Sequence, residues 1–180
     1  MRRAKRAAGL RAGALGLAAA IACAMAPDAG AQAPGAGSVS GLPVPRFVSL
    51  KSDKVNVRRG PTTQHQVAWE FLREGLPVEI VAEYDNWRRI RDADGDEGWV
   101  YHSLLSGRRT ALVSPWAADE VQDLRARGDS EARVVARLQA RVLANVGPCD
   151  GAWCRLSGRG FEGWIEQEKL WGVYPGEKVE

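Results

Sequence analysis

Two short segments of this chain are near copies of one another. Residues 86–100 read NWRRIRDADGDEGWV, and residues 152–165 read AWCRLSGRGFEGWI. Each sets a Trp-x-Arg-(Ile/Leu) run against a Glu-Gly-Trp-(Val/Ile) run across a polar connection that contains glycine. Such internal similarity indicates a duplicated structural unit, so we expect the chain to fold as two related modules.

The similarity extends beyond these segments, because residues 122–173 align with residues 56–107. Val57-Arg58 matches Leu124-Arg125, Trp87 matches Trp153, and Gly98-Trp99 matches Gly163-Trp164. The offset between the copies drifts only from 67 to 65, so small insertions and deletions separate them.

Short runs of β-favouring residues, with turns every 8 to 12 residues, predict a small all-β barrel or sandwich in each half. In the second copy, residues 118–142 have a helix-favouring composition of Ala, Glu, Arg and Leu, and they overlap residues 134–146. The alignment nevertheless predicts strands there, as over residues 67–82, because tertiary context overrides propensity. We expect a helical turn around residues 116–122.

The tryptophans of the repeat have two interpretations. Side chains alternate between the faces of a strand, so Trp87 and Arg89 share the face opposite to Ile90. If Ile90 lies in the core, Trp87 faces outward unless a bulge intervenes. In the second copy, Trp153 likewise faces outward if Leu156 lies in the core. These residues serve either as structural caps of a small barrel or as a ligand-contacting aromatic surface. The preceding glycines, Gly98 and Gly163, predict close backbone approach or a bulge.

The N-terminus has the pattern of a signal peptide over residues 1–31. A basic segment, MRRAKRAAGLR, precedes an apolar, alanine-rich run, and Ala29-Gly30-Ala31 fits a cleavage site before Gln32. The apolar run is shorter than the about 20 residues of a membrane span. The AIAC sequence ending at Cys23 is a weaker alternative, a lipoprotein acylation site. Residues 32–45, rich in Gly, Pro, Ser and Ala, predict a flexible linker.

Removing this leader changes the charge balance. Five of the 25 basic and one of the 22 acidic residues lie in residues 1–31, which leaves 20 basic and 21 acidic groups. The net charge of the whole chain, +3, therefore belongs to the leader and is no argument for nucleic-acid binding.

Two cysteines remain, Cys149 and Cys154. In an exported protein such a close pair predicts a disulfide. The alternative is half of a zinc site, but His65 and His102 are far away in the sequence and not at ligand spacing.

No catalytic constellation is apparent. There is no G-x-S-x-G motif, and no glycine-rich phosphate loop opens a helix. The acids of DADGDE, from Asp92 to Glu97, are too closely spaced for an EF-hand and predict a solvated turn. We therefore predict no active site, no metal and no cofactor.

Several segments together resemble a known family. VNVRRGP, GLPVEIVAEYDNWRRIRDADGDEGWV and LLSGRRTALV resemble the first unit, and LRARGDSEARVVARL, CDGAWCRL, GWI and LWGV the second unit, of exported bacterial proteins built from tandem SH3-like domains. The resemblance implies two five-stranded, strongly curved barrels, which we place at residues 46–113 and 114–176. It also implies binding of cell-wall peptidoglycan or peptide segments. Catalytic relatives carry a separate peptidase or amidase domain, for which this chain has no spare residues.

The sequence thus predicts a non-catalytic, exported binding protein of the periplasm or the extracellular space, without a stable membrane span, acting as a monomer. Its partner is cell-wall glycan or peptide, or in the alternative interpretation an envelope protein onto which it docks as an adaptor. The predicted ligand-binding residues are Tyr84, Trp87, Arg89, Trp99, Tyr101, Trp153, Arg155 and Trp164.

Overall fold

The computed structural model describes residues 35–36 and 39–180, and their regular secondary structure is almost only β-strand. The predicted signal peptide and Cys23 lie outside the described residues. The first half contains β1 (Gly35–Ala36), β2 (Pro43–Val44), β3 (Arg46–Leu50), β4 (Val55–Arg58), β5 (Val67–Phe71), β6 (Pro77–Tyr84), β7 (Trp87–Arg91), β8 (Glu97–Tyr101), a 3-10 turn (His102–Leu104) and β9 (Leu105–Ser106). The second half contains β10 (Thr110–Val113), β11 (Val121–Arg125), β12 (Val134–Gln139), β13 (Leu143–Asp150), β14 (Trp153–Gly158), β15 (Phe161–Glu166), a 3-10 turn (Gln167–Lys169), β16 (Leu170–Trp171) and β17 (Lys178–Val179).

All strands except β1 and β2, which pair with each other, form two antiparallel sheets with the same order. The first barrel is the sheet β5-β4-β8-β7-β6-β3-β9, and the second barrel is the sheet β12-β11-β15-β14-β13-β10-β16, to which β17 adds beside β13. Each strand of the first barrel has a counterpart at the same place in the second. The predicted fold, two tandem SH3-like β-barrels, is confirmed. The expected number of five strands per barrel is wrong, because short strands such as β9 and β16 extend each sheet to at least seven.

Each barrel has its own hydrophobic core. The first core contains Leu50, Val55, Val57, Val78, Ile80, Ile90 and Val100. The second contains Ala111, Val113, Leu124, Leu138, Ala144, Cys149, Cys154, Leu156, Ile165, Leu170 and Val173. Each sheet encloses its own core because alternate residues of its strands face inward, and each buried Val, Leu or Ile contributes about 1.5–3 kcal/mol.

The ambiguous region of the second copy forms strands, as the alignment predicted. β12 and β13 replace the helix that composition alone suggests, because β12 pairs along its length with β11. The expectation of a helical turn around residues 116–122 is wrong. Two hydrogen-bonded turns, Ala117 N to Ser114 O and Glu120 N to Ala117 O, lead directly into β11. Within residues 35–36 and 39–180, no helix is long and apolar enough to cross a membrane.

The chain passes from one sheet to the other earlier than the sequence suggested. Thr110–Val113, counted with the first domain in the sequence analysis, forms β10 and pairs with β13 and β16 of the second barrel. The reason is the repeat itself, because β10 takes the place that β3 takes in the first barrel. The second sheet therefore begins at the strand that follows β9.

Part of the expected flexible linker is anchored to the first barrel. β1 pairs with β2, and the Ser40 hydroxyl donates to Glu83 Oε1 at 2.6 Å. The backbone N–H of Ser40 donates to Glu83 Oε2 at 2.9 Å, and that of Val39 at 3.3 Å. A glycine- and proline-rich composition thus coexists here with specific hydrogen bonds to a buried carboxylate.

The two barrels contact each other through an aromatic and polar interface. Phe47 of β3 packs on Trp171 and Tyr174 of the second barrel, with ring centroids 5.1 and 4.7 Å apart. The Tyr174 hydroxyl donates to Glu79 Oε1 at 2.9 Å. Burial and the nearby Glu79 carboxylate raise the pKa of Tyr174 well above its usual range, so the phenol stays protonated as a donor.

Two further contacts cross the same interface. The Thr110 hydroxyl, which is buried, donates to the carbonyl of Gly75 at 2.7 Å. Arg141 of the β12–β13 turn forms an ion pair with Asp94 of the β7–β8 turn. A hydrogen bond from Arg141 lowers the pKa of Asp94, although burial opposes this.

Candidate functional site

A small cleft opens on the outer side of the first barrel, and we call it the first cleft. Its volume is about 220 Å³. Its walls come from β4, β7, β8, the β3–β4 and β4–β5 connections and the 3-10 turn after β8: Lys54, Asn56, Arg58, Thr63, Trp87, Tyr101 and Leu104. The strand period explains this face, since Asn56 and Arg58 alternate with Val55 and Val57, which are buried in the core.

The second barrel carries a cleft of about 250 Å³, the second cleft. It is lined by Val121, Gln122, Asp123, Arg125, Trp153, Ile165, Glu166 and Lys169. The strands β11, β14 and β15 supply most of these residues, and they are the counterparts of β4, β7 and β8.

The two clefts occupy equivalent positions of the repeat. Arg58 faces Trp99 across β4 and β8, as Arg125 faces Trp164 across β11 and β15. With this register, the paired positions are Lys54 and Val121, Asn56 and Asp123, Arg58 and Arg125, Trp87 and Trp153, Tyr101 and Glu166, and Leu104 and Lys169. The arginine and the tryptophan are therefore the two cleft residues that both copies share.

The shared arginine is held in the same way in both barrels. Arg58 Nη1 donates to the carbonyl of His65 at 2.7 Å, and Arg125 Nη1 donates to the carbonyl of Ala132 at 2.9 Å. These carbonyls belong to the equivalent β4–β5 and β11–β12 connections. Each arginine is thus positioned by backbone while the rest of its guanidinium faces the cleft region.

The shared tryptophan forms a wall of each cleft. Trp87 packs edge-on against Tyr101, with ring centroids 5.4 Å apart and planes at 84°. Trp87 is only 8% exposed, although it lies on the face opposite to Ile90, because Tyr101 and the cleft residues cover it. In the second barrel Trp153 is half-buried, and the backbone at Gly128 approaches its side chain closely.

The comparison with known protein families agrees with the duplicated fold. A family model described as bacterial SH3 domain matches residues 51–107 and, a second time, residues 118–172. Together the two matches cover more than half of the chain.

The chain belongs to the bacterial SH3 domain family.

Solved structures show more distant similarity to this pair of bacterial SH3 domains. NlpC1 from Trichomonas vaginalis is 15% identical, with a TM-score of 0.33, over 74% of this chain and 48% of that one. NlpC2 from the same organism is 14% identical, with a TM-score of 0.31, over 73% and 49%. The chain thus spans about half the length of these proteins. No curated protein matches it.

Three of the eight binding residues predicted for the SH3 domains line the clefts: Trp87, Tyr101 and Trp153. The others are adjacent on the same sheets. The rings of Tyr84 and Trp99 pack edge-on with their centroids 6.5 Å apart, and the Tyr84 side chain is 59% exposed. The two arginines of the repeat are engaged elsewhere, Arg89 with Glu97 at 2.8 Å and Arg155 in an ion pair with Glu162.

The residues predicted from the sequence do not include the charged residues of the clefts, above all Lys54, Arg58, Asp123, Arg125 and Glu166. Arg58 appears in the sequence only as one of the aligned positions and was not predicted to bind a ligand. The signal that could have found it was already in the alignment, since Arg58 and Arg125 occupy the same position in both SH3 domains.

The expected close backbone approach at Gly98 and Gly163 is confirmed. A Cβ on Gly163 would lie 2.7 Å from the Arg125 carbonyl oxygen and 2.8 Å from Leu124 Cγ. A Cβ on Gly98 would collide with Val57. The glycines thereby let β8 and β15 lie tightly against the strands that carry Arg58 and Arg125.

The acidic turn of the first SH3 domain is closed by its own hydrogen bonds. Asp92 Oδ1 accepts the backbone N–H groups of Asp94 and Asp96 at 3.0 and 2.9 Å. Burial raises the pKa of Asp92, although these hydrogen bonds oppose it. Over the described part of the chain, no cluster of three or more His, Cys, Asp or Glu residues could hold a metal ion.

The predicted disulfide is confirmed. Cys149 and Cys154 are bonded, and both are buried beside the β13–β14 turn of the second SH3 domain. Asp150 accepts the backbone N–H groups of Ala152 and Trp153 at 2.9 and 2.8 Å, which fixes the same turn. The disulfide hairpin therefore carries Trp153 directly into the second cleft.

Proposed function

We propose that the protein is an exported, non-catalytic binding module whose two clefts recognise peptidoglycan or a peptide segment of the cell envelope. The observation that carries this proposal is the duplication of the cleft. The same six positions line it in both barrels, and the Arg58–Trp87 pair recurs as Arg125 and Trp153.

The chemistry of the clefts suits such ligands. Aromatic walls stack on sugar rings or hold extended peptide, and arginine supplies several donors to polar groups of a ligand. Volumes of about 220 and 250 Å³ are smaller than the about 300–1,000 Å³ of pockets for drug-sized molecules. We therefore expect each cleft to hold one or two units of a longer polymer.

Two clefts on one chain also favour a polymeric ligand. If both engage the same strand of cell wall, the second binding event becomes intramolecular, and avidity exceeds the affinity of either cleft. A repeating polymer offers many equivalent positions for this.

Two features support export. The N-terminal segment has the sequence pattern of a signal peptide. The Cys149–Cys154 disulfide is the cross-link expected in an oxidising compartment.

Co-sedimentation with purified cell-wall sacculi tests the proposal. We expect the protein to pellet with sacculi, and Trp153→Ala to weaken binding about tenfold, as for an aromatic hot spot. Trp116→Ala is the matched control, because Trp116 is 61% exposed and lies outside both clefts. Near-UV circular dichroism establishes that both variants fold.

Retention of the protein in the supernatant at every salt concentration would contradict wall binding. Recovery of one envelope protein at fixed stoichiometry in a pulldown would then favour the adaptor function. Release of soluble fragments from sacculi by the purified protein would contradict the non-catalytic role.

A further inference from the structure

The two clefts differ in charge although they share their arginine and tryptophan. Lys54 of the first cleft corresponds to Val121 of the second, and Asn56 corresponds to Asp123. Tyr101 corresponds to Glu166. These exchanges change the electrostatics of the cleft while the order of the strands stays the same.

The first cleft is cationic. Lys54 and Arg58 are its charged lining residues, and no carboxylate lines it. Lys54 forms an ion pair with Glu70 at 3.1 Å, but the Lys54 side chain is 70% exposed, so this pair is weak and exchangeable. No salt bridge within residues 39–180 occupies the part of the Arg58 guanidinium that does not bond to His65.

The second cleft is balanced. The carboxylates of Asp123 and Glu166 offset Arg125 and Lys169 among its lining residues. Asp123 Oδ2 lies 3.9 Å from Arg125 Nη2, and Asp123 Oδ1 accepts from Arg137 Nε at 3.3 Å. An anion entering this cleft would meet Asp123 beside the arginine that would have to bind it.

We propose that the first cleft binds the carboxylate end of a short wall peptide between Lys54 and Arg58, against Trp87, whereas the second cleft does not bind carboxylates. This rests on the proposed function, since it names the chemical group that one of the two clefts recognises. A charge-assisted hydrogen bond is about twice as strong as a neutral one, and the buried Trp87 and half-buried Leu104 reduce competition from water. The small volume of the cleft fits an end group.

A titration followed by NMR tests the proposal on the purified protein. The probe is N-acetyl-alanyl-alanine with a free carboxylate, compared with its C-terminal amide. We expect the acid to shift the Trp87 indole N–H resonance and the amide to bind about tenfold more weakly. The Trp153 indole resonance should stay unchanged. Equal binding of acid and amide, or equal shifts at both tryptophans, would overturn the proposal.

Three variants locate the site. Lys54→Gln should weaken binding of the acid about threefold, because it removes an exposed charge. Asn56→Asp, which introduces the residue of the second cleft, should weaken it by a similar factor through repulsion. Lys51→Gln is the control, since it removes one exposed positive charge outside the cleft. If Lys54→Gln and Asn56→Asp bind the acid as the wild type and the Lys51→Gln control do, the assignment is wrong.

Sacculi with chemically amidated carboxylates separate this inference from the proposed function. We expect weaker co-sedimentation with amidated than with untreated sacculi. Equal co-sedimentation with both would overturn the carboxylate assignment while leaving wall binding intact. Absence of binding to untreated sacculi would instead contradict the proposed function itself.

Discussion

Glu83 and Arg88 face each other across the β6–β7 hairpin, at the positions that Cys149 and Cys154 occupy in the β13–β14 hairpin. Glu83 Oε1 lies 3.3 Å from Arg88 Nε, and both side chains are buried. One barrel therefore closes this hairpin with an ion pair and the other with a disulfide. Two different chemistries thus link the same pair of positions in the two barrels.

The Glu83 ion pair should make the first barrel sensitive to acid. Burial disfavours the charged carboxylate, but hydrogen bonds from Ser40 and Arg46 and the charge of Arg88 outweigh it and lower the pKa of Glu83 to about 2. This pKa lies below the ordinary value of 4.5. The Glu83 carboxylate therefore makes its full contribution to the free energy of unfolding above pH 4.5, and that contribution is lost as the pH falls toward 2.

Glu83→Gln should therefore destabilise the first barrel by about 3 kcal/mol at pH 7, as expected for a broken buried pair. The loss should shrink as the pH falls from 5 to 2. Urea unfolding at several pH values measures this, with Glu162→Gln as a control whose ion pair is exposed. A constant difference between Glu83→Gln and the wild type across this range would refute the assignment.

The disulfide should stabilise only the second barrel. Reduction of Cys149–Cys154, which closes a loop with a sequence separation of 5, should cost about 2 kcal/mol in the chain-entropy model. Hydrogen exchange with and without reductant should show faster exchange in β13 and β14. Exchange in β6 and β7 should be unaffected, and an equal loss of protection there would contradict independent cores.

The repeat explains why so much of the fold follows from the sequence. Because insertions and deletions between the copies are short, aligning Trp87 with Trp153 also aligns the strands around them. The alignment therefore identified β12 correctly as a strand where local composition favoured a helix. Propensity is a weak preference per residue, and pairing with β11 outweighs it.

The clefts could not be predicted in the same way. Strand alternation places Trp87 on the outer face, but it does not show that Tyr101 and residues beside β4 bury it. Lys54 and Trp87 are distant in sequence and meet only because β4 pairs with β8, which pairs with β7. Apart from Arg58, which the repeat aligns with Arg125, the charged cleft residues have no repeated or periodic signal, so their position in a cleft follows from tertiary structure.

Gly163→Ala should destabilise the second barrel by about 1–3 kcal/mol, because the added methyl group must displace Leu124 or the Arg125 carbonyl. Gly107→Ala is the control, since a Cβ there meets no atom within 4 Å. Thermal unfolding compares the two variants. A Gly163→Ala protein as stable as Gly107→Ala would show that β11 and β15 tolerate a wider separation.

Phe47→Ala should loosen the interface between the barrels while leaving the core of the first barrel intact. Phe47 is buried against Trp171 and Tyr174 and is not among the residues of the first core. Truncating a buried phenylalanine costs about 3–5 kcal/mol, and here most of that loss falls on contacts between the barrels.

For Phe47→Ala we expect a larger radius of gyration in small-angle scattering and shorter rotational correlation times for each barrel by NMR relaxation. Tyr84→Ala, which removes an exposed aromatic side chain of the same barrel, should change neither quantity. If Phe47→Ala instead unfolds the first barrel and leaves the second unchanged, Phe47 stabilises its own barrel rather than the interface.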